Sequence, residues 1–118
     1  MKKTMLTLAL VAVLIMIAGA AYALRNSPIR VFDITPNPMD KECSITVGVT
    51  TPQNITIQIK AKDDELVREI YSGPVYKDIS LTWNRYDYLG NFVPAGDYTV
   101  ILSFDSRFTS LKKTLILK

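Results

Sequence analysis

The chain has no histidine and only one cysteine in its 118 residues. Without histidine it can build neither a Ser-His-Asp triad nor a Cys-His pair, and it has no imidazole to offer a metal. With Cys43 alone it forms no internal disulfide, so packing and sheet hydrogen bonds must hold it together. Its five glycines make no phosphate-cradling loop. Beyond the first two dozen residues no apolar pattern of helical period runs for a useful length. The carboxylates Asp33, Asp40, Asp78, Asp87, Asp97 and Asp105 are scattered. Two of them could serve a glycosidase, but so small a body has little surface from which to shape a sugar cleft. These absences predict a non-catalytic protein without a cofactor or metal.

What is present first is a targeting segment. Lys2 and Lys3 precede an apolar run, Met5 to Ala18, whose one polar residue is Thr7. Ala21-Tyr22-Ala23 then has the small-x-small shape of a signal-peptidase site. Residues 1–23 therefore read as a signal peptide, with cleavage after Ala23 and a mature chain beginning at Leu24. The alternative is an uncleaved anchor over residues 5–24, long enough to span a bilayer. Both place the body, residues 24–118, outside the cytoplasm: secreted, periplasmic or at the cell surface, and bound to a membrane only if the segment stays attached. Removing Lys2 and Lys3 leaves 12 basic residues against 11 acidic ones, a net charge of +1. A nearly neutral body gives no electrostatic reason to expect nucleic acid.

From Leu24 onward apolar residues alternate with period two, the mark of strands. Cys43 to Thr50 and Asn54 to Ala61 alternate over eight residues each, with the turn Thr51-Pro52-Gln53 between them. Further strands fall near Ile29–Ile34, Leu66–Ser72, Lys77–Trp83, Asp97–Phe104 and Ser110–Leu117. Gly73-Pro74 reads as a break. A long connection, Asn84 to Gly96, separates the fifth strand from the sixth. Seven short strands in one domain of about 95 residues predict an all-β, immunoglobulin- or fibronectin-III-like antiparallel sandwich. Trp83, in phase with Ile79 and Leu81, should fill the space between the sheets, and Tyr98 lies on an apolar phase too. Cys43 shares the parity of Ile45, Val47 and Val49, which predicts a buried, reduced thiol with a packing role.

Within the long connection, Asp87 is placed to accept hydrogen bonds from backbone N–H groups of its own loop. Gly90 and Gly96 permit positive φ, and Pro94 belongs to a second turn, Pro94-Ala95-Gly96. Tyr86, Tyr88 and Phe92 are the aromatic residues that lie in the loop, which makes them the candidate interface. Tyr71 and Tyr76 complete an aromatic-rich middle. Asp63-Asp64-Glu65 reads as a solvated turn between strands rather than a calcium loop. Asn54-Ile55-Thr56 matches a glycosylation sequon but falls mid-strand, and reads as chance.

The stretch Trp83-Asn84-Arg85-Tyr86-Asp87-Tyr88-Leu89-Gly90-Asn91-Phe92-Val93-Pro94-Ala95-Gly96-Asp97-Tyr98 resembles W-(D/N)-G-x-D-x-x-G-x-x-V-P-x-G-x-Y, the most distinctive motif of the FlgD-type immunoglobulin-like domain. This is the C-terminal domain of the flagellar hook-capping protein family, also found on exported bacterial proteins. Asn37-Pro38-Met39 resembles that family's opening N-P-F, and Asp64-Glu65-Leu66-Val67-Arg68 its turn and L-V-R strand. Arg85 stands where the family has glycine, and Met39 where it has an aromatic residue. The resemblance spans about 80 residues, Asn37 to Leu117. It implies a β-sandwich used for attachment and assembly.

The expectation is therefore an exported, non-catalytic protein-interaction or assembly module with protein partners, self-assembly among them. It would be a structural component of the cell surface or of a flagellum-associated structure. Two alternatives follow from the same features. One is a small extracellular protease inhibitor presenting the 84–96 loop; the other is a carbohydrate-binding module using the aromatic residues.

Overall fold

The structure, a computed structural model, describes residues 27–104 and 110–118. The signal or anchor segment, the expected start at Leu24 and Asp105 lie outside them. Seven strands follow one another: β1 (Ile29–Thr35), β2 (Cys43–Val49), β3 (Gln53–Lys60), β4 (Leu66–Val75), β5 (Asp78–Trp83), β6 (Gly96–Phe104) and β7 (Ser110–Leu117). They form two sheets, β1-β2-β5 and β4-β3-β6-β7, paired antiparallel throughout. The fourth strand joins the sheet of the third, which is the fibronectin-III arrangement of the immunoglobulin-like sandwich.

The period-two pattern builds this directly. In β3, Ile55, Ile57 and Ile59 are buried while Asn54, Thr56, Gln58 and Lys60 face outward or lie at partial depth. Opposite them stand Val100 and Leu102 of β6. In the other sheet Ile45 and Val47 of β2 lie between Phe32 and Ile34 of β1 and Ile79 and Leu81 of β5. The two inner faces meet in one core. Burying each such side chain stabilises by about 1.5–3 kcal/mol.

Trp83 is 1% exposed and pairs in register with Cys43, which is free and equally buried. Burial, with the nearby Glu42 carboxylate second, pushes the Cys43 thiol up to about 11. Met39 is also fully buried, its flexible thioether filling the space around it.

The break expected at Gly73-Pro74 is not one. β4 continues through it to Val75. It is an outer strand of its sheet, where a residue lacking an N–H is tolerated. The strict alternation expected for Leu66–Tyr71 also fails, because the β3–β4 register shifts between Ile57 and Gln58 and again between Ile59 and Lys60. Val67 is buried, Leu66 is exposed, and Ile70 and Tyr71 both pack against the core. A bulged strand twists and so re-aims successive side chains.

Candidate functional site

The connection between β5 and β6 is held from within. After Trp83, Arg85 takes a left-handed backbone conformation, φ 67°. Its amide neighbourhood is closed by Val93 N–H, which donates to the Arg85 carbonyl at 2.9 Å. The side chain is 4% exposed and reaches both sides of the loop. Nε donates to the Val93 carbonyl (2.8 Å), and a terminal nitrogen donates to the Asp40 carbonyl (2.6 Å). The guanidinium also lies 4.7 Å from the centre of the Phe92 ring. Arg85 is thus a buried cation that ties the loop to the segment before β2.

Asp87 organises the tip. One of its carboxylate oxygens accepts from the N–H groups of Leu89 (2.9 Å) and Asn91 (2.8 Å). The Asp87 N–H donates to the Asn91 carbonyl, and Gly90, at φ 84°, closes the turn by donating to the Asp87 carbonyl. A side chain at Gly90 would be strained at that φ although open space surrounds it. Trp83 Nε1–H donates to the Tyr86 carbonyl at 2.9 Å. At the far end Gly96 begins β6 at φ 150°, and the Tyr98 hydroxyl donates to the Pro94 carbonyl at 2.8 Å. This last bond is the tyrosine corner of immunoglobulin-like sandwiches. Burial raises the Tyr98 hydroxyl's pKa, partly countered by Arg85.

The loop also docks on β4. Tyr88 N–H donates to the Val67 carbonyl (3.0 Å), and Arg68 reaches the carbonyls of Tyr86 and Asp87 at 3.4 Å each. Beside Asn84 and Asn91, the loop turns large apolar side chains outward. Tyr88 is 63% exposed, Leu89 69% and Phe92 56%, with Tyr86 and Leu66 beside them. The Tyr86 and Phe92 rings meet edge to face, 5.8 Å apart at 73°. Between this cluster and the start of β4 lies a recess of about 200 Å³. Tyr86, Tyr88 and Phe92, singled out in the sequence, are therefore neighbours at one place. Leu66 and Leu89 belong with them and were missed; a leucine in a glycine-containing turn, where no core can reach it, was the available signal. Tyr76 is exposed elsewhere, in the β4–β5 connection, and the Tyr71 hydroxyl bonds the Pro74 carbonyl.

The acidic triplet forms a turn. Asp64 sits at φ 68°, Asp63 accepts from the Glu65 N–H (3.2 Å), and Lys60 lies 3.7 Å from Asp64. Among the described residues no three histidine, cysteine or carboxylate side chains converge as a metal would need.

Two solved structures share the sandwich. Dimeric latent PorU from Porphyromonas gingivalis matches 73% of this chain with 9% of its own, at 16% identity and a TM-score of 0.61. PorZ, an essential surface component of the type-IX secretion system of the same organism, matches 74% of this chain with 11% of its own, at 17% identity and a TM-score of 0.53. This chain thus spans about a tenth of either protein, and at that identity the likeness is one of fold. No protein-family model matches the chain, and no curated protein does.

Proposed function

We propose that this protein is a non-catalytic, exported interaction or assembly module whose 84–96 loop presents Tyr86, Tyr88 and Phe92 to a protein partner at the cell surface. The observation that carries the reading is an exposed aromatic and aliphatic cluster on a loop fixed by its own hydrogen bonds. Isolated apolar side chains on a surface are ordinary, whereas a contiguous group on a rigid support is what interfaces use. The apolar N-terminal run supports an extracytoplasmic setting. So does the surface-component role of PorZ, within which a sandwich of this fold occurs. The resemblance to the FlgD-type domain supports attachment and assembly as the task, in a cell-surface or flagellum-associated structure.

The geometry favours neither alternative. The loop tip is a compact turn around Asp87, not an extended segment of the kind a protease cleft accepts. Its rings meet edge to face, so they offer no flat platform for a sugar. The test is a variant with Tyr88→Ser and Leu89→Ser, expressed in place of the parent and cross-linked in its own cell envelope. The expected result is loss of the cross-linked partners with the thermal midpoint kept. Full retention of those partners would refute the interface.

A further inference from the structure

We infer that the recess beside the loop receives a partner-protein segment in which one large apolar side chain is flanked by lysine or arginine. The inference deepens the interface reading above and rests on it. The recess is bounded by Leu66 and Val67 at the start of β4 and by Tyr88, Leu89, Phe92 and Pro94 of the loop. At about 200 Å³ it falls below the roughly 300–1,000 Å³ of sites that enclose a drug-sized molecule. It suits a single side chain delivered by a larger partner.

The rim supplies the second half of the chemistry. The charged residues that line the recess are Glu65 and Asp87, and no basic residue lines it. Glu65 is held by its backbone, its carbonyl accepting from Ala61 N–H and its N–H donating to Asp63. One Asp87 carboxylate oxygen is held by the two loop N–H groups it accepts. An adjoining hollow, which shares Ala61 and Tyr98 with the recess, adds Asp63 and Asp97 against Lys62 alone. Three other cations nearby are engaged. Arg68 donates to loop carbonyls, Lys60 lies against Asp64, and Arg85 is buried on the carbonyls of Val93 and Asp40. An apolar hole with an acidic rim selects an apolar side chain between positive ones, and the like-charged alternative is repelled.

Two blocked synthetic peptides test this on the 15N-labelled protein, one carrying Lys-Phe-Lys between Gly-Ser spacers and one carrying Glu-Phe-Glu. The Lys-Phe-Lys peptide should shift the amide signals of Leu66, Val67, Leu89 and Phe92. At low salt it should bind about tenfold more tightly than its acidic counterpart, a preference that falls away in high salt because exposed charges are screened. A Glu65→Gln, Asp97→Asn variant should lose most of the preference and keep its fold. Equal binding of the two peptides would overturn the charge argument and leave the interface standing. No shift with either peptide at millimolar concentration would overturn the inference, whatever the double serine variant shows about partners. Shifts of the same signals on concentrating the protein alone would overturn it too, by making a second copy the occupant.

Discussion

Arg85 offers the most demanding test of how the loop is held, because its backbone and its side chain pull stability in opposite directions. A non-glycine residue at φ 67° carries a penalty of about 1–2 kcal/mol that glycine would not. Against it stand two hydrogen bonds from a charged donor, to Val93 at 2.8 Å and to Asp40 at 2.6 Å, each contributing about 1.5–3 kcal/mol. The Val93 bond is buried and keeps its full share, while water can replace the donor to Asp40, whose side chain is exposed. The contact with the Phe92 ring adds about 0.5–1 kcal/mol. The ion pair with the Asp40 carboxylate, at 4.0 Å, contributes almost nothing at an exposed partner. Arg85→Ala loses the side chain and keeps the strain, a cost of about 3–4 kcal/mol. Arg85→Gly loses the side chain and relieves the strain, a cost of about 2 kcal/mol.

Urea denaturation followed by Trp83 fluorescence measures both variants. The expected order is parent, then glycine, then alanine. A glycine variant as stable as the parent would show that the guanidinium contributes nothing, and would refute the account of the loop. Equal glycine and alanine variants would refute the backbone part alone. The gap of about 1–2 kcal/mol, at roughly 4–8 °C per kcal/mol in a domain of this size, is well within calorimetric reach.

Trp83→Ala empties a large site between the sheets and should destabilise by about 3–5 kcal/mol in urea denaturation followed by circular dichroism, an unchanged midpoint placing the indole outside the core. Asp87→Ala leaves the Leu89 and Asn91 N–H groups without their acceptor and should loosen the tip, read as faster amide exchange at those two residues with protection in β3 and β6 unchanged. Native Cys43 should resist a thiol-reactive dye until denaturant is added, and rapid stoichiometric labelling of the folded protein would contradict its burial. The same thiol gives a pH dependence. Its folded value of about 11 exceeds its ordinary 9.0, so folding favours the protonated form. That contribution is whole below pH 9 and is lost as pH rises through 11. Between those limits the parent's stability should fall by about 2 kcal/mol more than that of Cys43→Ala, and parallel curves would contradict it.

The strands were legible because their side chains obey a rule that acts one residue at a time. Ile55, Ile57 and Ile59, or Cys43 with Ile45 and Val47, need only a period of two to declare a buried face. The loop's anchors were partly legible for the same reason, since Asp87 and Gly90 act within a few residues of themselves. Arg85 was not. Its partners are a carbonyl 8 residues on and another 45 residues back, and sequence alone gives no sign that a cation will be buried on carbonyl oxygens. The continuation of β4 through Gly73-Pro74 was hidden because it depends on that strand lying at the edge of its sheet. The recess was hidden because its walls come from Leu66 and Val67 on one side and residues beyond Asp87 on the other, brought together by the bond from Tyr88 N–H to Val67.

That bond bears on why the aromatic cluster stands where it does. A sandwich of two open sheets has outer strands whose unpaired backbone groups invite other chains, and such edges are commonly covered. Here β7 is covered near its end by the segment before β2: Met39 N–H donates to the Ile116 carbonyl, Lys118 N–H to the Met39 carbonyl, and the Asn37 side chain bonds Thr114 and Ile116. The start of β4 is covered by the 84–96 loop through Tyr88. Covering an edge needs backbone and a few anchors, and the loop takes these from Trp83, Arg85, Asp87 and Tyr98. It needs no ring at Tyr88 and no isobutyl group at Leu89, since the Tyr88 contact is made by the N–H. Each apolar square ångström left in water forgoes about 25 cal/mol of stabilisation, and polar residues at these two positions would leave the loop's hydrogen bonds intact. Fold stability therefore does not account for these side chains, whereas a partner that buries them would.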